Sequence, residues 1–394
     1  MVDLTAPLRP FSVMVKPVGS TCNLRCSYCY YLSKPRLGPA RMSDEVLELF
    51  IRDYIASSTG PVVGFVWHGG EPTLAGLDFY RRVVELQKRH APAGWQCWNN
   101  LQSNGLLLGD EWCAFLAENR FDVGLSVDGT AWLHDRYRPD TQGEPSYHQA
   151  VAAIERLKAH GIRPDLLCTV TAATAEEPLT VYQHLRSFDT GWIQFIPIVA
   201  RIRGEITQDS VGPDQYGQFL CTIFDQWITR DLGRLDVQLF AETTRVLAGG
   251  EAGLCWMAPT CGRAVVVEAD GGVYSCDHYV TARHRLGCLC GGDPGETRDS
   301  TTTVLRALVD SAAQDRFGQD KQTGLPDKCL ACPHLALCNG GCPKDRLDDG
   351  LNYLCAGLAK FFAHATPKLT RLIEASRAGH TPAAIMAEFR AAGG

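Results

Sequence analysis

Residues 22–29 read C-N-L-R-C-S-Y-C, and the meaning of that stretch decides how the rest of the chain is read. Cys22, Cys26 and Cys29 are close enough in sequence to converge on one small inorganic object. Two thiols would suit a disulfide or half a zinc site. Three on a short loop, without a fourth Cys or His beside them, point to a cubane iron–sulfur cluster that leaves one iron open. An open iron receives a substrate or cofactor, by the same logic that separates catalytic from structural metal sites. The competing reading is reduced core thiols that lie together by chance, and the rest of the chain argues against it.

At 394 residues the chain has room for two domains, or for one large barrel and an extension. Hydrophobic residues make up 45% and charged residues 21%, an ordinary globular composition. A net charge of −6 lacks the basic excess of a nucleic-acid binder, so no nucleic-acid partner is expected. Residues 1–17 show no basic segment followed by an apolar run, so no signal peptide is expected. No apolar run reaches the roughly 18 residues of a membrane span, and no membrane partner is expected. Seventeen cysteines are the outlying number. An odd count in clustered spacings fits a secreted disulfide framework poorly; metal ligands in a reducing cytoplasm fit it better.

Candidate strands at 11–17, 62–68, 96–102, 121–127, 165–171 and 192–199 alternate with helix-like stretches at 44–57, 74–90, 109–119, 147–160, 176–188 and 214–231. Ser43, ahead of Asp44 and Glu45, is the expected N-cap of the first helix. Such alternation implies a parallel sheet, and about six βα units are too few for a closed eight-fold barrel. The expected fold class is therefore α/β, with a partial, open (β/α)6 barrel. Ligands bind such sheets at the carboxyl ends of the strands. The three cysteines fall there, as do His68-Gly69-Gly70-Glu71-Pro72, Gln102-Ser103-Asn104-Gly105 and Ser126-Val127-Asp128-Gly129. The paired glycines would let backbone approach a ligand closely.

From Gly233 the alternation stops. A short strand at 235–240 and a helix at 242–249 lead into a cysteine-rich region with Cys255, Cys261 and Cys276, then Cys329, Cys332, Cys338, Cys342 and Cys355. These thiols could ligate two complete four-iron clusters, although sets of four thiolates also suit zinc. Residues 263–269 and 273–276 read as hairpin strands around Asp270-Gly271-Gly272, which returns Cys276 toward Cys261. The segment from 329 is rich in Gly, Pro and Cys and is expected to take its order from metal. Cys97, Cys113, Cys168 and Cys221 lie in apolar runs and read as core residues. Cys288 and Cys290 read as free thiols, with a substrate-related or alternate-ligand role as the other reading.

The three-cysteine loop, with Tyr28 before its last Cys and G-G-E-P at 69–72, resembles the radical S-adenosylmethionine (radical SAM) signature. The resemblance implies that the open iron chelates the amino and carboxylate groups of SAM, and that Gly69, Gly70 and Glu71 form the loop contacting the amino group. It further places Tyr28, Gly70, Ser126, Arg138 and Val199 where relatives hold SAM. Arg136 stands two positions from Arg138, and Val199 would act through its backbone. The cysteine-rich half resembles a SPASM domain, which implies three [4Fe–4S] clusters in all. Cluster I would then use Cys255, Cys261, Cys276 and Cys342, and cluster II Cys329, Cys332, Cys338 and Cys355. The implied organisation is a radical SAM barrel at 1–232, a SPASM domain at 233–365 and a helical tail at 366–394. The loop after Cys290, to about Asp327, is longer than the family pattern.

Within this group the chain most resembles the anaerobic sulfatase-maturating enzymes. The likeness runs from Val15 to about Phe362 and rests on CNLRCSYCYY, HGGEPTLAGLDF, LQSNG, VGLSVDG, QFI and VEADGGVYSCDHYV. It implies oxidation of a Cys or Ser in an unfolded sulfatase, or in a peptide segment of one, to Cα-formylglycine. A flavodoxin- or ferredoxin-type donor would supply the electron that cleaves SAM, and the 5′-deoxyadenosyl radical would take hydrogen from Cβ of the target. Asp277 would remove the S–H or O–H proton, since Asp is ionised at neutral pH. Its neighbour Cys276 would place base and electron acceptor within about 4 Å of backbone. A surface carboxylate at a strand end is the plainer reading of Asp277. Two rival functions stand beside this one. The first is a SPASM maturase forming thioether or carbon–carbon crosslinks in a ribosomally made peptide; the second is a cluster-bearing electron carrier or zinc scaffold. The sequence leaves Cys against Ser open.

Overall fold

In the computed structural model, which describes residues 9–32, 34, 40–290 and 302–392, six parallel strands lie side by side in chain order. They are β1 (Ser12–Val15), β2 (Val62–Trp67), β3 (Gln96–Ser103), β4 (Asp122–Ser126), β5 (Asp165–Val170) and β6 (Trp192–Pro197). Between them run α1 (Asp44–Ser57), α2 (Leu77–His90), α3 (Asp110–Glu118), α4 (Ala131–Tyr137), α5 (Tyr147–Ala159), α6 (Ala172–Glu176) and α7 (Pro178–Ser187). After β6 come a small antiparallel hairpin, β7 (Arg201–Ile202) and β8 (Glu205–Ile206), then α8 (Pro213–Arg230), β9 (Asp236–Val237) and α9 (Gln238–Leu247).

The barrel stays open because both of its edges are taken. β6 pairs with β9, and β1 pairs in parallel with β10 (Ala264–Val267), the first strand of the expected hairpin. β11 (Gly272–Tyr274) returns antiparallel to β10, and β12 (Arg285–Cys288), which the sequence reading did not anticipate, closes the edge. The sheet therefore runs β12-β11-β10-β1-β2-β3-β4-β5-β6-β9, one surface shared by both halves of the chain.

Strand alternation sorts the side chains of β1. Val13 and Val15 face outward to the helices, in register with Phe65 and Trp67 of β2. There Phe50 meets Phe65 and Trp67 edge-on at 5.8 and 6.2 Å, and Trp67 meets Tyr80 at 5.7 Å. Each such ring contributes about 1.5–3 kcal/mol by leaving water. Met14 faces the inner side, where it packs with Tyr31, Val266, Tyr274 and Val280. Lys16, two residues on, shares that inner side. Ser43 caps α1 as expected, accepting from the Val46 N–H at 3.3 Å.

The C-terminal half adds α10 (Val304–Val309), α11 (Ala312–Thr323), α12 (Asp327–Leu330), α13 (Leu335–Cys338), α14 (Cys355–Arg377) and α15 (Pro382–Ala391). Two expectations are corrected. The stretch at 235–240 is strand only at Asp236–Val237; from Gln238 it is already α9, because Leu239, Phe240 and Thr243 give a helical buried face. The expected break at 365/366 falls inside α14, whose buried face continues through Ala365 and Leu369. α14 lies along α8, where a Cβ on Gly357 would stand 2.0 Å from the Pro213 carbonyl. Residues 1–8, where no signal peptide was expected, and 291–301 of the longer loop lie outside the described residues.

That helix crossing yields a test. Gly357→Ala must push α14 off α8, and overpacking of this kind costs about 1–3 kcal/mol. A lowered urea midpoint with unchanged slope is the expected result. An unchanged midpoint would show that the crossing yields without cost.

Candidate active site

Every loop singled out by sequence lies at the carboxyl ends of the parallel strands. The three-cysteine loop follows β1 and is held to the last residue of α4 and the segment just beyond it by two backbone bonds. These are Arg25 N–H to Pro139 O at 2.8 Å and Ser27 N–H to Tyr137 O at 3.0 Å. Its sulfurs meet donors: the Leu24 N–H lies 3.3 Å and Asn104 Nδ2 3.9 Å from Cys22 Sγ, and Arg138 Nη1 lies 4.0 Å from Cys26 Sγ. Burial pushes the Cys22 thiol up to about 12 and the Cys26 thiol to about 11, with the neighbouring thiolates adding repulsion. Donors aimed at sulfurs that would repel one another as thiolates suit a cationic cluster, which needs thiolates and offsets that repulsion.

The glycine pair after β2 does a job that sequence alone did not reveal. A Cβ on Gly70 would stand 2.0 Å from the Thr21 carbonyl, and Gly70 and Glu71 donate to Gly19 O and Thr21 O at 2.8 Å each. The close approach is thus to the cysteine loop itself. Glu71 is buried and both its oxygens are engaged. Oε1 accepts from the Thr73 N–H (3.0 Å), the Thr73 hydroxyl (2.5 Å) and the Ser103 hydroxyl (2.9 Å); Oε2 accepts from the Asn104 N–H (2.8 Å). Its carboxylate therefore locks the β2 and β3 loops and sets Asn104 against Cys22. Burial raises the Glu71 pKa, and these donors oppose the rise.

Past β4, Ser126 accepts from Gln102 Nε2 at 3.3 Å, and Asp128 organises its surroundings. Arg138 Nε and Nη2 donate to the Asp128 carboxylate at 2.7 and 3.2 Å, the Thr169 N–H donates at 2.8 Å, and the Tyr28 hydroxyl donates as well. Burial alone would raise the Asp128 carboxyl, but the Arg138 guanidinium overrides it and holds the carboxyl low. Arg138 also lies over the Tyr28 ring at 5.4 Å. Arg136 instead stacks on Trp132 and Tyr137, at 5.5 and 5.2 Å. Tyr28, Cys26, Arg138 and Ser126 thus share one end of the barrel, and Val199 follows the end of β6. In sequence Asp128 shows no role of its own, because its partner Arg138 is a separate, later signal.

Asp277 opens a short 3-10 turn (Asp277–Tyr279) beyond β11. The fully buried Lys16 ammonium stands 2.6 Å from its Oδ1 as an ion pair, although that oxygen accepts no well-angled hydrogen bond. The Tyr30 hydroxyl donates to Oδ2, and Lys34 Nζ donates to the Asp277 carbonyl at 3.1 Å. Burial would raise the carboxyl, but Lys16, helped by His68 and His278, drives it well below the usual range. His68 is pushed down to about 4 by burial and by Lys16. Its Nδ1 accepts from the Gly69 N–H at 2.7 Å, so the neutral ring carries its proton on Nε2.

Eight of the remaining thiols gather in two sets. Cys276 lies within electrostatic reach of Cys255 and Cys342, and Cys261 within reach of Cys255. Cys329 is likewise near Cys332 and Cys355, and Cys338 near Cys329 and Cys355. The buried Lys321 ammonium lies close to thiols of both sets and donates to the carbonyls of Cys255 (3.1 Å), Trp256 (2.8 Å) and Ala258. Asn339, Gly340 and Gly341 all have positive φ between Cys338 and Cys342, which turns the chain sharply from one set to the other. All seventeen cysteines are free of disulfides. Among the described residues, no group of three or more His, Cys, Asp or Glu is gathered as a single metal ion requires. A cubane holds its thiolates on separate corners, whereas a lone zinc draws them to about 2.3 Å from one point.

The Radical SAM superfamily model matches residues 17–182. A serine-type anaerobic sulfatase-maturating enzyme from Bacteroides thetaiotaomicron is 41% identical, covering 96% of this chain and 95% of that protein. The chain belongs to the anaerobic sulfatase-maturating enzymes. A cysteine-type member from Clostridium perfringens is 34% identical, over 91% of this chain and 97% of its own. The solved structure of anSMEcpe with bound AdoMet and the peptide Cp18Cys superposes with a TM-score of 0.83 at 33% identity, covering 93% of this chain and 99% of that one. The fold is thus a radical SAM partial barrel with a SPASM domain, and the family carries SAM and a [4Fe–4S] cluster.

The Asp128–Arg138 pair predicts a non-additive double-mutant cycle. Arg138→Gln strands a buried carboxylate, and such losses cost about 3–5 kcal/mol. Adding Asp128→Asn removes the stranded charge, so the double variant is expected to be more stable in urea than the sum of the singles. Additive losses would show that the two side chains act independently.

Proposed function

We propose that this enzyme oxidises a Cys or Ser side chain of a sulfatase segment to Cα-formylglycine. The observation that carries the reading is the placing of Asp277. It sits on the barrel's inner side against Lys16 and Tyr30, adjacent to the three-cysteine loop, and is joined by one peptide bond to Cys276. With Asp277 as base and Cys276 as an acceptor ligand, this placing would serve both next to the radical end of the barrel.

Cys22, Cys26 and Cys29 would hold the SAM-cleaving cluster, and Cys255, Cys261, Cys276 and Cys342, with Cys329, Cys332, Cys338 and Cys355, the two auxiliary clusters. When bound, these groups supply the electron that cleaves SAM, the radical that removes hydrogen from Cβ, and the acceptor for the second electron. Tyr28, the backbone of Gly69 and Gly70, Ser126, Arg138 and Val199 would line the SAM site. Glu71 acts there through the loops it ties together. Asp277 receives the proton from the target's S–H or O–H. A carboxylate held so firmly as the anion by Lys16 is a weak base; it takes a proton only from a group that becomes acidic as it is oxidised.

The working division keeps the barrel at 1–232 and the auxiliary-cluster region from 233, which α14 carries without a break into the tail. Among the described residues no helix is long and apolar enough to cross a membrane. The many free thiols favour a reducing cytoplasm, where a flavodoxin- or ferredoxin-type protein would be the donor.

Anaerobic turnover of Cys-x-Pro-x-Arg and Ser-x-Pro-x-Arg peptides, read by mass spectrometry, tests the reaction. Conversion to the aldehyde lightens the Cys peptide by about 18 Da or the Ser peptide by about 2 Da. A crosslinked peptide, or 5′-deoxyadenosine without aldehyde from either peptide, would point to the rival maturase.

Asp277→Asn tests the base. Aldehyde yield should fall roughly 10²–10⁴-fold while 5′-deoxyadenosine still forms. Iron should remain at about twelve atoms per chain, as for three four-iron clusters. Near-normal aldehyde at full iron content removes Asp277 from the role.

A further inference from the structure

Cys288 and Cys290 take no part in the site described above. Cys288 ends β12, opposite Gly272. Beyond β12 the chain turns at 289–290, with Leu289 buried between the two cysteines. Leu289 is 4% exposed, packed into the core, and its N–H donates to Gly271 O at 2.9 Å. With the middle residue pinned, both thiols meet a single acceptor: each Sγ lies 3.7 Å from the Asp270 carbonyl. The Cys290 N–H lies 3.4 Å from Cys288 Sγ. Gly271 leaves them room, since a Cβ there would stand 3.1 Å from Cys290 Sγ and 3.6 Å from Cys288 Sγ. Cys290 is exposed and Cys288 half-buried.

We propose that Cys288 and Cys290 form a thiol–disulfide exchange site, which closes reversibly to an intrachain disulfide when a low-molecular-weight disulfide serves as oxidant. The Cys290 thiolate attacks one sulfur of the oxidant, forming a mixed disulfide and releasing one small thiolate. The Cys288 thiolate then attacks the Cys290 sulfur and expels the second. The protein pair gives up two electrons and two protons, and one disulfide is reduced to two thiols.

The backbone permits the closure. A disulfide needs Cα atoms about 4.4–6.8 Å apart. Two steps of about 3.8 Å reach at most about 7.6 Å, and less where the chain turns after β12. A short, exposed bridge belongs to the reducible kind rather than the structural kind. Burial, and then the neighbouring Cys288, raise the Cys290 pKa, so exchange quickens as pH rises. Closure also removes both S–H donors from the Asp270 carbonyl, at the turn of the hairpin whose far end carries Cys276 and Asp277.

The test uses the full, cluster-loaded chain under anaerobic conditions at pH 8, with glutathione disulfide as the probe. Free thiols are then alkylated, and the fragment spanning 288–290 is weighed. The expected wild-type fragment is unlabelled and lighter by about 2 Da than its fully reduced form. Dithiothreitol should restore both alkylation sites. Cys288→Ser, lacking the resolving thiol, should stop at a glutathione adduct on Cys290. Two alkylated thiols in the treated wild type, or an adduct that persists on its Cys290, would overturn the proposal. Reaction at cluster ligands is separated from it by the iron content and leaves this fragment's mass unchanged.

Discussion

A lysine with no exposed surface, Lys16, meets an aspartate from more than 250 positions away, and the placement of the site depends on that pair. Taking two charges out of water costs several kcal/mol per ion, and their attraction repays this only with good geometry and further partners. The partners are present: Lys16 Nζ also reaches His68 Nδ1 at 3.4 Å and lies 4.4 Å over the Tyr31 ring, while Tyr30 serves the other carboxylate oxygen. The pair is best understood as a device for position. Any shift of the β11 end relative to β1 would leave two buried charges facing apolar surface.

The same junction explains why the barrel does not close. β1 gives its free edge to β10, so the edge that would complete a barrel instead supports the hairpin of the auxiliary half. Tyr31, from the three-cysteine loop, donates to Glu268 at the end of β10. Tyr30 crosses to Asp277. The loop that would hold the radical-generating cluster is therefore bonded through adjacent tyrosines to the strand pair that carries Cys276. One sheet thus joins the two halves of the chain at the loop that carries the three cysteines.

Periodicity made most of the barrel legible. α1 runs over 44–57 as read, because Ser43 and its acidic followers are local signals. The reading failed where local signals conflict or are too short. Leu235–Phe240 has the apolar density of a strand, but packing on α14 made most of it helix; β12 is a tetrapeptide without alternation. At the site, the cysteines and the glycine pair were visible as motifs. The contacts that support them were not, since Glu71 joins Ser103 and Asn104, and Asp128 joins Arg138 and Thr169, only after folding. Arg136 and Arg138 are equivalent as letters; burial beside Asp128 distinguishes them.

The cysteine sites pose one last constraint. In the folded chain burial raises Cys22, Cys276 and Cys342 to about 12, and Cys338 to about 11, so without metal these thiols are neutral at physiological pH. Neutral thiols do not repel, and the surrounding loops can keep their hydrogen bonds. Metal must then displace protons as it binds, which ties loading to pH and to the stability of the loops. Fixed donors reduce that cost where it is greatest. The Leu24 N–H and Asn104 amide face Cys22, and Lys321, tethered by three carbonyls, places one positive charge near thiols of both auxiliary sets. Protein charge of this kind favours the thiolate form and, once a cluster is bound, favours its reduced state. Under the proposed function, Lys321 would favour electron uptake by a cluster held at either set of thiols.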